Sequence, residues 1–134
     1  MPSTDKSITC GADKTVRIYQ GSTEIKKLTF HSDVVRSVCL VASDRFATAG
    51  NDSKICLYKL DGTLLHQTIA HAHFIFSLDS HQNSLISCGE DSEIKIWQID
   101  HWQLKQTIPI HYQTIWQVAV RNNGHTIIAI TAYF

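Results

Sequence analysis

Short stretches with alternating apolar and polar residues recur along the chain, and turn-forming residues bound each of them. Residues 93–97 alternate with a period of two, directly after the turn formers at residues 89–92. The same phrase occurs earlier around Asp52, and earlier still, after an identical step, around Asp13. This spacing predicts β-hairpins that repeat at a fixed step along the chain.

A second set of positions repeats with nearly the same step. His31, His71 and His111 are evenly spaced along the chain. A β-branched residue lies four positions after each of them, at Val35, Ile75 and Ile115. A four-stranded unit that repeats at about 40 residues is typical of a β-propeller. The sequence therefore predicts an all-β fold, a partial β-propeller built from antiparallel four-stranded blades.

Residues 1–134 are expected to form a single propeller segment with two complete and two incomplete blades. The signals for strands and turns predict a partial blade at 7–30, complete blades at 34–69 and 74–108, and a partial blade at 114–134. Closed propellers need at least about four blades. We therefore expect part of a larger propeller, whether a fragment, a truncated gene product or a cloned piece.

The incomplete blades predict unpaired strand edges at both ends of the segment. The first blade has too few residues for an innermost strand, and the last ends before its two outer strands. Unpaired edges are templates for pairing with another strand. We expect these edges to meet the remainder of the propeller or to cause self-association.

Composition narrows the classes of partner and compartment. Twelve Lys and Arg balance twelve Asp and Glu with no basic stripe, which argues against nucleic acid as a partner. No apolar run approaches membrane-spanning length, and the N-terminus has no signal-peptide pattern. The four cysteines lack CxxC spacing and are interpreted as reduced core thiols, rather than disulfides or metal ligands. These features favour a cytoplasmic and/or nuclear protein without a membrane partner.

Four polar positions in each repeat are spaced so that their side chains can meet. A turn aspartate can hold the histidine in one tautomer, the histidine can reach a strand hydroxyl, and the hydroxyl can accept from an indole or phenol. Such a chain of hydrogen bonds satisfies buried polar groups and joins a loop to two strands. The predicted networks are His31, Thr48, Asp52 and Tyr58 in the second blade, and His71, Ser87, Asp91 and Trp97 in the third.

These repeats resemble the WD-repeat (WD40) family of propellers over nearly the whole chain. The family's Gly-His pair is represented by Phe30-His31, Ala70-His71 and Ile110-His111, so the glycine is replaced each time. Its closing Trp-Asp pair is represented by Tyr19-Gln20, Tyr58-Lys59 and Trp97-Gln98. The resemblance implies a propeller that serves as a platform for other proteins.

A histidine, an aspartate and a serine together also suggest a hydrolase, and eight histidines suggest a metal site. The hydrolase is disfavoured because Ser87 lies within a predicted strand with an indole partner, and because the set recurs in several blades. His71 and His73 form the only tight histidine pair, without a carboxylate or cysteine at ligand spacing. We therefore predict no catalytic residue, no metal ligand and no cofactor.

Binding residues are expected in the loops that open on one face of the propeller. Loops between blades and turns between the second and third strands of each blade share that face, and their residues differ between repeats. Aromatic residues and arginine carry interface hot spots, although the same rings could instead pack between blades. The candidate partner-binding residues are Val34, Arg36, Asn51, Phe74, Phe76, Glu90, Thr114 and Trp116.

A narrower resemblance concerns the family of the phospholipase-activating protein, called PLAA-type, and its fungal ubiquitin-degradation counterpart. The matching blade segments are 34–38, 49–53, 74–78, 90–97 and 114–118. In that family an N-terminal propeller binds ubiquitin, ahead of a second ubiquitin-binding domain and a helical domain that docks a segregase. The resemblance implies a non-enzymatic module that binds ubiquitin, or another protein, at the propeller face in ubiquitin-dependent protein degradation. The alternative is a generic WD-repeat scaffold for a vesicle-coat, RNA-processing or signalling complex.

Overall fold

Antiparallel β-sheets make up all the regular structure that the computed structural model describes. It describes residues 5–111 and 113–132, so residues 1–4, 112 and 133–134, the last two in the predicted fourth blade, lie outside the described residues. The strands are β1 (Lys6–Cys10), β2 (Val16–Gln20), β3 (Thr23–Leu28), β4 (Val35–Val41), β5 (Arg45–Gly50), β6 (Lys54–Lys59), β7 (Leu64–Ile69), β8 (Ile75–His81), β9 (Ser84–Gly89), β10 (Glu93–Gln98), β11 (Gln103–Pro109), β12 (Thr114–Arg121) and β13 (Thr126–Ala132).

The strands form four separate sheets in chain order. Blade 1 has three strands, β1–β3; blade 2 has β4–β7; blade 3 has β8–β11; and blade 4 has β12–β13. Each strand pairs with its sequence neighbour, so every connection within a blade is a short turn. The predicted fold class, with two complete blades flanked by two incomplete ones, is confirmed. Within the described ranges no helix is long and apolar enough to cross a membrane.

The hydrophobic core lies between neighbouring blades. Val41 and Leu57 of blade 2 pack with Ile75 and Leu85 of blade 3, and similar clusters join blades 1 and 2 and blades 3 and 4. The residues after Arg45 in β5 are all buried, because both faces of this strand contact another blade. The outer strands β7 and β11 contain no buried residue. Sheet stacking therefore buries the inner strands and leaves the outer strands to solvent.

Side chains also connect the innermost strands of successive blades. The Ser37 hydroxyl accepts a hydrogen bond from the Leu78 amide at 3.1 Å, and the Ser77 hydroxyl accepts one from the Val118 amide at 3.3 Å. Asp79 accepts another from the Val120 amide at 2.8 Å. Because the innermost strand of a blade has an unpaired edge, these contacts satisfy amides that would otherwise lack a partner.

One turn in blade 3 differs from its counterparts. Trp102 has a φ of 47°, at the turn position that Gly62 holds in blade 2. Its indole stacks on Trp97 at 5.7 Å between centroids and on His66 of blade 2 at 5.5 Å. The stacking between blades compensates for a backbone conformation that bulky residues rarely adopt.

Candidate protein-binding face

Loops between blades and turns within blades meet on one face of the molecule, which we call the loop face. It comprises the interblade loops at 29–34 and 70–74, the turns at 50–53 and 89–92, and the beginnings of the innermost strands β4, β8 and β12 beside them. The Ser53 hydroxyl donates to the His73 carbonyl at 2.7 Å, and the Asn51 amide donates to the Val34 carbonyl at 2.8 Å. These bonds hold each turn against the loops beside it.

Buried hydrogen-bond networks support the loop face from below. In blade 3 His71 Nδ1 lies 2.8 Å from Asp91 Oδ2, and His71 Nε2 lies 2.7 Å from Ser87 Oγ. The Trp97 indole donates to the same hydroxyl at 3.0 Å. The Asp91 carboxylate can only accept, so in the neutral imidazole Nδ1 donates to it and Nε2 accepts from Ser87 Oγ, which also accepts from the indole. The Asp91 carboxylate also accepts from the Ala72 amide at 3.2 Å.

Blade 2 contains the same arrangement with a phenol in place of the indole. His31 Nδ1 lies 2.9 Å from Asp52 Oδ2, and Nε2 lies 2.7 Å from Thr48 Oγ1. The Thr48 hydroxyl contacts the Tyr58 hydroxyl at a longer 3.4 Å. The structure thus brings together all eight residues predicted for the two networks. In blade 1 Thr9 is exposed, and Asp13 instead accepts from Thr15 and Arg17.

The networks perturb the pKa values of their acids and of one histidine. Burial opposes the ionisation of Asp52, but hydrogen bonds from His31 and the Ser32 amide outweigh it, so the pKa of Asp52 is lowered. The pKa of Asp91 is also lowered, because the hydrogen bond from His71 outweighs the opposing effect of burial. Burial also opposes protonation of His31, but the Asp52 hydrogen bond and Cys56 raise its pKa to about 9. Each network therefore favours a charged carboxylate at neutral pH.

We expect these shifts to make stability fall on both sides of neutral pH. The lowered pKa values of Asp52 and Asp91 stabilise the fold above the usual aspartate pKa of about 4, and this contribution is lost as the solution is acidified below it. The raised value of His31 stabilises the fold below its usual pKa of 6.5, and this contribution is lost as pH rises through about 9. Urea midpoints across this range measure both arms. In the chain with both Asp52→Asn and Asp91→Asn, the urea midpoint should fall less on acidification than in the wild type. An equal fall would show that these two aspartates do not cause the loss of stability in acid.

A serine, a histidine and an aspartate in contact do not here resemble a nucleophilic site. Ser87 has no exposed surface, and both of its neighbours in the network are buried as well. His71, Asp91 and Glu93 also lie close enough for their ligand atoms to surround an ion. However, both ring nitrogens of His71 are already within hydrogen-bond distance of Asp91 and Ser87. The set is suited to holding the loop in place.

Three residues on the loop face stack across three successive blades, and we call them the ring ladder: Arg36, Phe76 and Trp116. The Arg36 guanidinium lies 5.4 Å from the centroid of the Phe76 ring. The Phe76 and Trp116 rings are stacked, with centroids 4.7 Å apart and an interplanar angle of 15°. Cation–π and stacking contacts of this kind hold exposed side chains in one arrangement.

A β-bulge at the start of each innermost strand places the ring ladder. Pairing skips one residue between β4 and β5, between β8 and β9 and between β12 and β13, and the skipped residues are Arg36, Phe76 and Trp116. A bulge leaves its extra residue unpaired and redirects the side chain. The sequence put these three residues at one repeat position, but the bulge that turns them to the same surface was not apparent from it.

The other predicted binding residues surround the ring ladder in different ways. Asn51 accepts a 2.8 Å hydrogen bond from Arg36 Nε, and Phe74 contacts the Phe76 ring edge-on at 6.3 Å. Glu90 and Thr114 line an open cleft of about 390 Å³ together with Phe76 and Trp116. Val34 is half-buried, and its contribution is the carbonyl that holds Asn51. Phe74 and Trp116 remain 38% and 42% exposed, so aromatic surface is available to a partner.

All four cysteines are free thiols in the structure. Cys56 and Cys88 are buried, and Cys10 and Cys39 are half-buried. Burial raises the pKa of Cys88 to about 12, which keeps its thiol protonated and unreactive.

Comparisons with known proteins identify the repeats. The family model described as "WD domain, G-beta repeat" matches residues 22–59 and 62–98. The chain is 34% identical over 109 residues to the ubiquitin homeostasis protein lub1 of Schizosaccharomyces pombe, and 30% identical over 109 residues to the phospholipase A-2-activating protein of Xenopus laevis. These alignments cover 80% and 75% of this chain, but only 15% and 13% of those proteins.

A solved structure agrees with the sequence similarity. The crystal structure of the WD40 β-propeller domain of Doa1 superposes with a TM-score of 0.85 and 33% identity. The match covers 94% of this chain and 43% of the Doa1 chain. The described blades therefore correspond to less than half of that propeller. The predicted resemblance to WD-repeat propellers and to the PLAA-type proteins is confirmed.

Proposed function

The chain belongs to the WD domain, G-beta repeat family, and on that premise we propose that it binds ubiquitin through the ring ladder on its loop face. Propellers of this family are generally non-catalytic interaction modules. The observation that carries the proposal is a half-exposed aromatic ladder in a chain that is similar to ubiquitin-related proteins. We place this binding in ubiquitin-dependent protein degradation, in the cytoplasm and/or nucleus.

Sequence similarity supports ubiquitin as the partner. One relative is named a ubiquitin homeostasis protein, and another is named ubiquitin fusion degradation protein 3 homolog. Because this chain spans a small part of each, ubiquitin recognition by its own blades is the proposal, and the activities of the remaining domains are not transferred.

The chemistry of the loop face supports a protein partner with an apolar patch and polar groups beside it. Phe76 and Trp116 offer rigid aromatic surface, which binds at a small cost in side-chain entropy. Arg36 stands at one end of the ladder, and the exposed Glu90 carboxylate stands beside the cleft at the other end. Glu90 forms no side-chain hydrogen bond or ion pair with residues 5–111 or 113–132, so its charge is available to a basic group.

We expect Trp116→Ala to weaken ubiquitin binding about tenfold or more, because it removes the largest ring of the ladder. Leu104→Ala is the matched control, since Leu104 is also 42% exposed but lies on the outer strand β11. The affinities are measured by titrating isotope-labelled ubiquitin with each variant, and circular dichroism establishes that each variant is folded.

Equal affinities for the Trp116→Ala and Leu104→Ala variants would exclude the ring ladder as the binding surface. No response of labelled ubiquitin at high micromolar protein would exclude ubiquitin itself. That second result would favour the coarser function, a WD-repeat scaffold for another protein complex.

A further inference from the structure

Blade 1 contains the acceptor half of a polar network but no histidine. Thr9, Asp13 and Tyr19 hold the repeat positions of Thr48, Asp52 and Tyr58 in blade 2. Asp13 accepts a hydrogen bond from the Thr15 amide, as Asp52 does from the Lys54 amide. The oxygen that His31 contacts in blade 2 is here bonded to the Arg17 guanidinium, and an open cleft of about 300 Å³ lies over these residues.

Blade 4 contains the complementary half. His111 holds the repeat position of His31 and His71, is exposed, and has no hydrogen bond to its ring from any residue that the structure describes. Ile115 in β12 holds the position of Val35 and Ile75. Blade 4 has strands equivalent to the first two of a blade, whereas blade 1 has the last three.

The free edge of β1 adjoins an apolar groove of about 420 Å³, lined in part by Ile8, Val38, Leu40 and Phe46. In blade 3 Leu78 is 7% exposed, because β8 is covered by β4. Val38 holds the same position in β4 but is only half-buried, and Leu40 is 61% exposed. A strand paired with β1 would cover β4 as β4 covers β8.

Gly11 provides the space that such a strand needs. At Gly50 and Gly89 a Cβ atom would collide with the carbonyl oxygens of Val34 and Phe74, where the interblade loop crosses the glycine. At Gly11 the nearest atom to a Cβ would be Asp13 Oδ1 at 3.7 Å. Blade 1 thus has the glycine of a complete blade, and no loop among the described residues crosses it as in blades 2 and 3.

We propose that β12 of a second copy pairs with β1 and inserts His111 between Thr9 and Asp13, completing blade 1. The register of blades 2 and 3 places Ile115 opposite Gly11 and Gln117 opposite Cys10. Arg17 keeps its 2.9 Å bond to Glu24 when the histidine replaces it at Asp13.

The exchange is reciprocal and closes a ring. β12 stays packed on β8 of its own copy, and β1 takes the place of β13, in which no residue is buried. Two copies then provide two complete blades each, and the two composite blades bring the ring to six. Closed propellers have about four to eight blades.

Light scattering over a concentration series tests the association in the whole chain. The wild-type chain should shift from the mass of one copy to that of two at high micromolar concentration. Gly11→Ala should weaken association at least about tenfold, and so should His111→Ala. His73→Ala is the control, since His73 is an exposed loop histidine outside the repeat positions. The melting temperature of Gly11→Ala at low concentration should equal that of the wild-type chain, which separates association from folding.

A cross-link tests the register. The thiol that Gln117→Cys introduces should form a disulfide with Cys10 of the second copy under mild oxidation, and Cys10→Ser should abolish it. Peptide mapping identifies the linked cysteines. A wild-type chain that stays monomeric overturns the proposal. Association that Gly11→Ala leaves unchanged, or a disulfide that does not involve Cys10, overturns it as well.

Discussion

Gly89→Ala is expected to destabilise the fold by about 3 kcal/mol or more, the largest effect that we predict for a single methyl group. A Cβ atom at Gly89 would lie 1.9 Å from the carbonyl oxygen of Phe74 and 3.0 Å from the Ile75 Cα. Both neighbours are backbone atoms, so no side chain can move aside. The same carbonyl accepts a 2.9 Å hydrogen bond from the Glu90 amide, which fixes the close approach.

Gly11→Ala provides the matched control at low protein concentration. Gly11 occupies the same repeat position in blade 1, but its Cβ atom would have no neighbour closer than 3.7 Å among the residues that the structure describes. Urea unfolding monitored by circular dichroism measures both variants. If both substitutions lower the free energy of unfolding equally, the loop that crosses Gly89 is not the reason that this position needs glycine.

Asp91→Ala is expected to cost about 1–3 kcal/mol, because it leaves His71 without its buried partner. The Asp91 carboxylate also accepts hydrogen bonds from the Ala72 and Glu93 amides. The substitution therefore also removes the hydrogen bonds that connect the interblade loop to the turn. The side chain of Asp91 is only 6% exposed, which limits the access of water to the groups left behind.

Asp13→Ala is the control for this second prediction. Asp13 holds the equivalent position in blade 1, but it is exposed and has no histidine partner in the described part of the chain. Its replacement should change the urea midpoint much less than Asp91→Ala does. A chain with Asp91→Ala that unfolds like the wild type would refute the stabilising role of the network.

The fold and the polar networks could be predicted from the sequence because both depend on repetition. Alternation with a period of two specifies strands, and an unchanged step of about 40 residues places equivalent residues at equivalent points of stacked sheets. His71 and Asp91 are separated by a turn and two strands, yet their spacing nearly equals that of His31 and Asp52. The repeat spacing along the sequence therefore predicts which residues meet in the folded blades.

The ring ladder was predicted as separate residues and not as a stack. Arg36, Phe76 and Trp116 share a repeat position, but their common orientation depends on bulges. A bulge arises from how two strands pair, which the sequence of one strand does not specify.

Other contacts were missed for different reasons. Ser37 and Ser77 share a repeat position, and both form hydrogen bonds to the next blade. A comparison of the polar residues at every repeat position could have predicted these bonds. Trp102 carried no such signal, because it occupies a turn position where blade 2 has Gly62. Its stack with His66 depends on the packing of two blades.

The most direct test of ubiquitin binding at the loop face is the spectrum of the isotope-labelled chain during addition of unlabelled ubiquitin. Three tryptophans report on three places: Trp116 on the ring ladder, Trp97 in the network of blade 3, and Trp102 at the turn between β10 and the outer strand β11. We predict that the indole signal of Trp116 and the amide signals of Arg36 and Phe76 shift, while those of Trp97 and Trp102 stay in place. An unchanged Trp116 signal at saturating ubiquitin, or shifts confined to Trp102 and the outer strands, would contradict the account.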